Sequence, residues 1–202
     1  RAVRRGVLAA GPARAVRRVT AHLLTGARLL AVAPVAVAFA RPGTLHPLVV
    51  AGLILLAIVT DLLDGKVARS QGTASAGGML FDHGTDCLFV SAGLAGAALA
   101  ARVPMLLPVL IVAAFSQYVF DSYVLDRRKQ LRMSAIGRWN GVFYFVPLCG
   151  VGLADLANLV PLPLASTALA SATRFVAYAL ILSTVVSIVD RATAAAGQNR
   201  RD

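Results

Sequence analysis

The chain has no glutamate; all nine of its acidic residues are aspartates. Charged residues of both signs fill only 14% of the 202 positions, and aromatic residues 6%. Such a low charge content excludes the solvated surface of an ordinary globular domain, whose apolar share is about 45–50%. Here the hydrophobic share is 58% and the mean hydropathy is +0.75. Cysteine is scarce as well. Cys87 and Cys149 lie in apolar stretches without metal-type spacing, which points to packing and away from a disulfide or a zinc site. No long linker, internal repeat or low-complexity tract divides the chain, so a single domain is expected. No separate short apolar core with a small-residue cleavage site follows residues 1–18, so no signal peptide is expected either.

Long apolar runs are what the chain has instead. They predict six spans at about residues 22–40, 47–63, 79–101, 103–123, 139–156 and 168–189, each near the ~20 residues that cross a bilayer. Arg41-Pro42-Gly43 and the prolines at 161 and 163 break helices, whereas Pro34, Pro108 and Pro147 fall inside spans, where a kink is tolerated in lipid. The fold class is therefore an all-α integral membrane protein of six transmembrane helices. Residues 1–20 alternate Arg with Val, Leu and Ala, a pattern suited to an interfacial amphipathic helix. Residues 21–190 form the membrane domain and 191–202 a tail.

The formal net charge is +11 and the pI about 11.2. Basic residues gather in the short polar segments between apolar runs, as topology and anionic lipid require, so nucleic acid is not the expected partner. With six spans, all basic residues except Arg41, Arg102 and Arg174 fall on one side. The positive-inside rule makes that side the cytoplasm, with both termini. The expected location is the inner (cytoplasmic) membrane.

Residues 61–86 break the apolar pattern. Asp61 and Asp64 stand at i and i+3, followed by Gly65, Ala68 and Arg69; after eight residues come Gly78, Asp82 and Asp86, the last two at i and i+4. If the second span continues helically through Arg69, each pair of aspartates shares one helix face at the cytoplasmic edge. The second and third spans are joined by a short link and are expected to pack antiparallel, turning all four carboxylates into one volume. Carboxylates beside hydrocarbon are costly and are kept together mainly where they hold cations or move protons. Oxygen ligands favour magnesium, manganese or calcium over zinc. Two such ions would clamp a pyrophosphate and polarise it for in-line attack, so phosphoryl-transfer chemistry is expected. Gly65 and Gly78 leave room for a ligand or a facing backbone, Ala68 keeps the next turn thin, and Arg69 is placed to pair with a phosphate oxygen. His83, between the two aspartates of the third span, is expected to point off their face.

The whole run, D-x-x-D-G-x-x-A-R-x(8)-G-x-x-x-D-x-x-x-D, resembles the signature of the CDP-alcohol phosphatidyltransferases, with every position filled at the family's spacing. The resemblance implies a membrane-embedded homodimer that binds CDP-diacylglycerol through two divalent cations, Mg2+ or Mn2+. An alcohol then attacks the lipid-side phosphorus and CMP leaves. By position, Asp61, Asp64, Asp82 and Asp86 would be metal ligands and Asp86 also the general base. Asp61, Gly65, Ala68, Arg69 and Gly78 would contact the CDP moiety.

The acceptor pocket lies outside the signature. Leu24-Thr25-Gly-Ala-Arg28 is similar to the L-T-x-x-R segment of bacterial phosphatidylglycerophosphate synthases. Ser134-Ala-Ile-Gly137-Arg138 is similar to their S-x-x-G-K segment, although Asn140-Gly141 replaces the Lys-Thr that follows there. Ser122-Tyr123-Val-Leu125-Asp126-Arg127 resembles the S-Y-x-K-A-R segment of phosphatidylinositol-phosphate synthases, with Leu125 where they have lysine. Glycerol 3-phosphate is the favoured acceptor, gathered by basic residues among Arg28, Arg127, Arg128, Lys129, Arg132 and Arg138. Inositol phosphate, inositol and serine are the alternatives. Asp121 either pairs with Arg127 or Arg128 or reads acceptor hydroxyls, and Asp155 is expected to be interfacial and isolated. The rival of another class is a membrane cation transporter or binding protein, since intramembrane aspartates also mark ion paths. Their clustering at one edge disfavours it.

Overall fold

The computed structural model describes residues 11–71, 76–121, 135–160 and 163–198, with side chains described over 25–62, 80–121, 136–160 and 164–193. Every regular element among the described residues is helical: α1 (Gly11–Ala40), α2 (Pro47–Gln71), α3 (Ala76–Leu99), α4 (Leu106–Phe120), α5 (Ala135–Phe143), α6 (Phe145–Ala157) and α7 (Pro163–Gln198). The expected fifth span is thus two helices with Tyr144 between them. Proline has no N–H to bond the Phe143 carbonyl, and its ring crowds that carbonyl, so Pro147 is accommodated only in the first turn of a new helix. Pro108 sits likewise in the first turn of α4, which starts at Leu106 and not at 103. Pro34 alone is well inside its helix.

Two described stretches, Ile136–Ala157 and Leu164–Thr193, are long and apolar enough to cross a membrane; Thr25–Ala40, Pro47–Leu62 and Leu106–Phe120 are apolar but shorter. Many large apolar side chains on these helices face outward, among them Leu30, Leu55, Leu106, Phe175 and Leu182. Water would make so extensive an apolar exterior unfavourable, while lipid chains would not.

The core lies where α1, α3, α4 and α6 meet, with Val35, Phe39, Phe89, Leu94, Leu107 and Leu148 fully buried. Small residues bring the backbones close. A Cβ on Gly96 would overlap the carbonyl of Ala36, so α3 lies against α1 with no room for a side chain there. Gly150 does the same for α6 against Thr173 of α7.

The packing order departs from the sequence order. Among the described residues α1 packs against both α2 and α3, whereas α2 and α3 are not among the extensively packed pairs. Among the described residues the close-packing glycine contact of α3 is made with α1.

At one end of the bundle, Arg102 grips Asp155 through two hydrogen bonds of 3.0 and 2.6 Å and donates to the Val151 carbonyl. Asp155 is thus paired, not isolated. Ala101 takes a left-handed conformation (φ 55°) past the end of α3. Arg174 of α7 donates to the carbonyls of Ala101 and Arg102. These bonds tie α3, α6 and α7 together at the end remote from Asp82 and Asp86.

Candidate active site

The backbone of α2 stays helical through Arg69 to Gln71, so Asp61 and Asp64 lie within one continuous helix. The side chains of Asp64, Gly65, Ala68, Arg69 and Gly78 lie outside the described residues, as do Arg127, Arg128, Lys129 and Arg132 altogether. Of the four expected metal-binding aspartates, the described three converge. They do so around a cation from a third helix, Arg28 of α1.

Arg28 is completely buried. Its Nη1 donates to Asp86 Oδ1 and, at 3.3 Å, to Asp82 Oδ1. Its Nη2 lies 3.5 Å from Thr60 Oγ1 and 3.7 Å from Asp61 Oδ1. Thr60 donates its own hydroxyl proton to the Ala57 carbonyl at 3.0 Å, which leaves its oxygen lone pairs for the guanidinium. A buried arginine is tolerated when its charge is paired, and here one planar fork serves carboxylates on two different helices. Arg28, expected to meet the acceptor, thus sits with the acids.

His83 is not off the aspartate face. Asp82, His83 and Asp86 each offer one ligand atom, and these atoms all lie within 4.8 Å of one another. The sequence signal was present, since His83 precedes Asp86 by three positions and such residues are helix-surface neighbours. Two carboxylates and an imidazole at this separation, with the Asp61 carboxylate sharing Arg28, form a donor set suited to a divalent cation.

The acids open into a cavity of about 700 Å³. Asp61, Asp82, His83 and Asp86 line it, as do Arg138 of α5 and Arg191 of α7. Ile58, Val90, Ile111 and Phe115 supply apolar wall. Asp121 pairs with Arg191, whose Nε donates to Asp121 Oδ2 at 3.1 Å. The Arg191 guanidinium also lies 5.3 Å from the centre of the Tyr118 ring. Asp121 was expected either to pair with Arg127 or Arg128, which lie outside the described residues, or to read acceptor hydroxyls; among the described residues the long final helix brings Arg191 to it. Sequence reading counted Arg191 only as a tail charge, and Thr60 carried no signal at all. Asn140, at the departure from the Lys-Thr pattern, is buried and accepts from Ser183 Oγ at 2.7 Å, while Tyr144 and Thr184 share a hydrogen bond of 2.8 Å. These bonds fix α5, and with it Arg138, against α7.

The family model for CDP-alcohol phosphatidyltransferase matches residues 18–189, most of the chain. The chain belongs to the CDP-alcohol phosphatidyltransferase family. No curated protein and no solved structure matches it. As a CDP-alcohol phosphatidyltransferase it is a transferase of phospholipid synthesis, moving a phosphatidyl group from a CDP-alcohol to an alcohol acceptor. The family uses divalent metals, and the Asp82–His83–Asp86 group of this phosphatidyltransferase could bind one. The apolar helices and the family together make it a membrane protein. The transporter reading gives way to the transferase one.

Proposed function

We propose that the protein transfers the phosphatidyl group of CDP-diacylglycerol to glycerol 3-phosphate and releases CMP. The observation that carries this reading is the shared cavity, lined by three aspartates and two arginines. A CDP-linked donor needs the cationic clamp that carboxylates can hold; a phosphorylated alcohol needs fixed positive charge within reach of the reacting phosphorus. Asp61, Asp64, Asp82 and Asp86 would hold two divalent cations, Mg2+ or Mn2+. When bound, these ions neutralise the pyrophosphate and polarise the phosphorus under attack.

The remaining chemistry belongs to the chain. Asp86 accepts the proton of the acceptor hydroxyl as its oxygen bonds to the lipid-side phosphorus. The bond from that phosphorus to the bridging oxygen breaks, and CMP carries the electron pair away. Gly65, Ala68, Arg69 and Gly78 would flank the nucleotide. Arg138 and Arg191 would bind the acceptor phosphate as planar donor forks, Arg191 being held by Asp121. Arg127 would contribute from the adjoining segment. Inositol phosphate would use the same arginines, whereas serine and inositol would leave them without a phosphate.

Six transmembrane helices, with α5 and α6 making one span, would put the acids at the cytoplasmic edge of the inner membrane, both termini on that side. A homodimer is the assembly the family resemblance implies. Purified protein given CDP-diacylglycerol and Mg2+ should release CMP with glycerol 3-phosphate and less with inositol phosphate, inositol or serine. A larger release with one of the other three would reassign the acceptor, and no release with any would remove the reading.

A further inference from the structure

We propose that Arg28 is a resident counter-cation of the acid cluster and makes divalent-ion binding depend on a diphosphate ligand; this rests on the metal-dependent reading above. The exposures of the partners differ in a telling way. The Arg28 side chain has 0% of its surface exposed, against 36% for Asp61, 29% for Asp82 and 19% for Asp86. The carboxylates face the cavity, and the guanidinium closes their rear. It is wedged between α1, α2 and α3, with Thr60 against its other nitrogen.

An ion arriving from the cavity meets the open side of Asp82 and Asp86 while Arg28 stays behind them. The same oxygens then serve two cations, one permanent and one exchangeable. The two repel each other because both contact the same carboxylates and the guanidinium is fully buried. The fixed guanidinium already offsets one of the four aspartate charges, so two divalent ions bound without an anion leave the cluster with a net positive charge. A diphosphate brings the negative charge that removes the excess. Ion and diphosphate therefore bind better together than apart, and each must tighten the other by the same factor. Arg28 also keeps the three acids assembled when no ion is bound, since without it their mutual repulsion would push α2 and α3 apart.

The test is Mn2+ binding by the purified full-length chain in detergent, read from the free-ion EPR signal with and without CDP. In the parent protein CDP is expected to tighten Mn2+ binding by about tenfold or more. Arg28→Gln is expected to bind Mn2+ tightly without CDP, its coupling falling to about twofold or less. Arg28→Lys keeps the charge and is expected to keep most of the coupling. The same coupling in Arg28→Gln as in the parent, no CDP effect in the parent, or loss of coupling in Arg28→Lys would each overturn the proposal. Should Arg28→Gln fail to fold, the parent and Arg28→Lys still decide. A parent chain that binds no Mn2+ even with CDP removes the metal reading itself, an outcome distinct from Mn2+ binding that ignores CDP.

Discussion

Arg28 Nη1 lies 3.3 Å from Asp82 Oδ1, a contact between residues 54 positions apart that joins α1 to α3 inside the acid cluster. Its consequence is that the reactive carboxylates are held by a helix that carries none of the signature residues. Changes on α1 or α3 that move Arg28 should therefore be felt at the site.

Asp86→Asn keeps the side-chain shape and removes the proposed proton acceptor. CMP release should fall by about 10²–10⁴-fold, the usual contribution of a positioned general base. Thermal unfolding in detergent should stay close to that of the parent, since the amide oxygen still accepts from Arg28. Turnover within a few-fold of the parent would remove Asp86 as the base.

Arg138→Gln deletes one of the two arginines that line the cavity and are proposed to bind the acceptor phosphate. The KM for a phosphorylated acceptor should rise by about tenfold, the loss of a charge-assisted hydrogen bond, while the KM for the donor is unchanged. Steady-state kinetics with each substrate varied in turn would show the split. An equal rise for both substrates would mean that Arg138 acts on the cavity as a whole.

Gly96→Ala inserts a methyl where the Ala36 carbonyl already sits. The backbones of α1 and α3 must separate, at a cost of about 1–3 kcal/mol for overpacking. Thermal unfolding should show the loss, and CMP release should drop with it because Arg28 travels with α1. An Ala variant as stable as the parent would mean that the two helices are less closely packed than described.

Asp155→Ala leaves Arg102 without its carboxylate at the end remote from the acids. The pair is about four-fifths buried, its side chains 21% and 23% exposed, so stability should fall by about 1–3 kcal/mol, the loss of a charged hydrogen bond. Both KM values should stay as in the parent. A change in KM without a stability change would show that this pair is coupled to the cavity.

The helical, lipid-facing character of the chain was legible because it is written in composition: the apolar runs are long, and their placement needs no knowledge of neighbours. The aspartate pattern was legible for the same local reason, since i, i+3 and i+4 spacings fix which residues share a helix face. His83, expected off the aspartate face, obeys that same rule through its i, i+3 relation to Asp86. The break at Tyr144 was also within reach of local reasoning, because Pro147 forbids the bond that would bridge it.

Contacts across helices were not legible. Among the described residues the partner of Asp121 is Arg191, 70 positions away. The sequence by itself determined the chemistry available: oxygen-rich acids at helical spacing, in an apolar chain with a strong excess of arginine. Only the tertiary structure decided that α1 packs against both α2 and α3 and sets a buried guanidinium among their carboxylates. Periodicity sets the direction a side chain takes from its own helix. Which helix it meets depends on long-range packing, here on a glycine that lets two backbones touch.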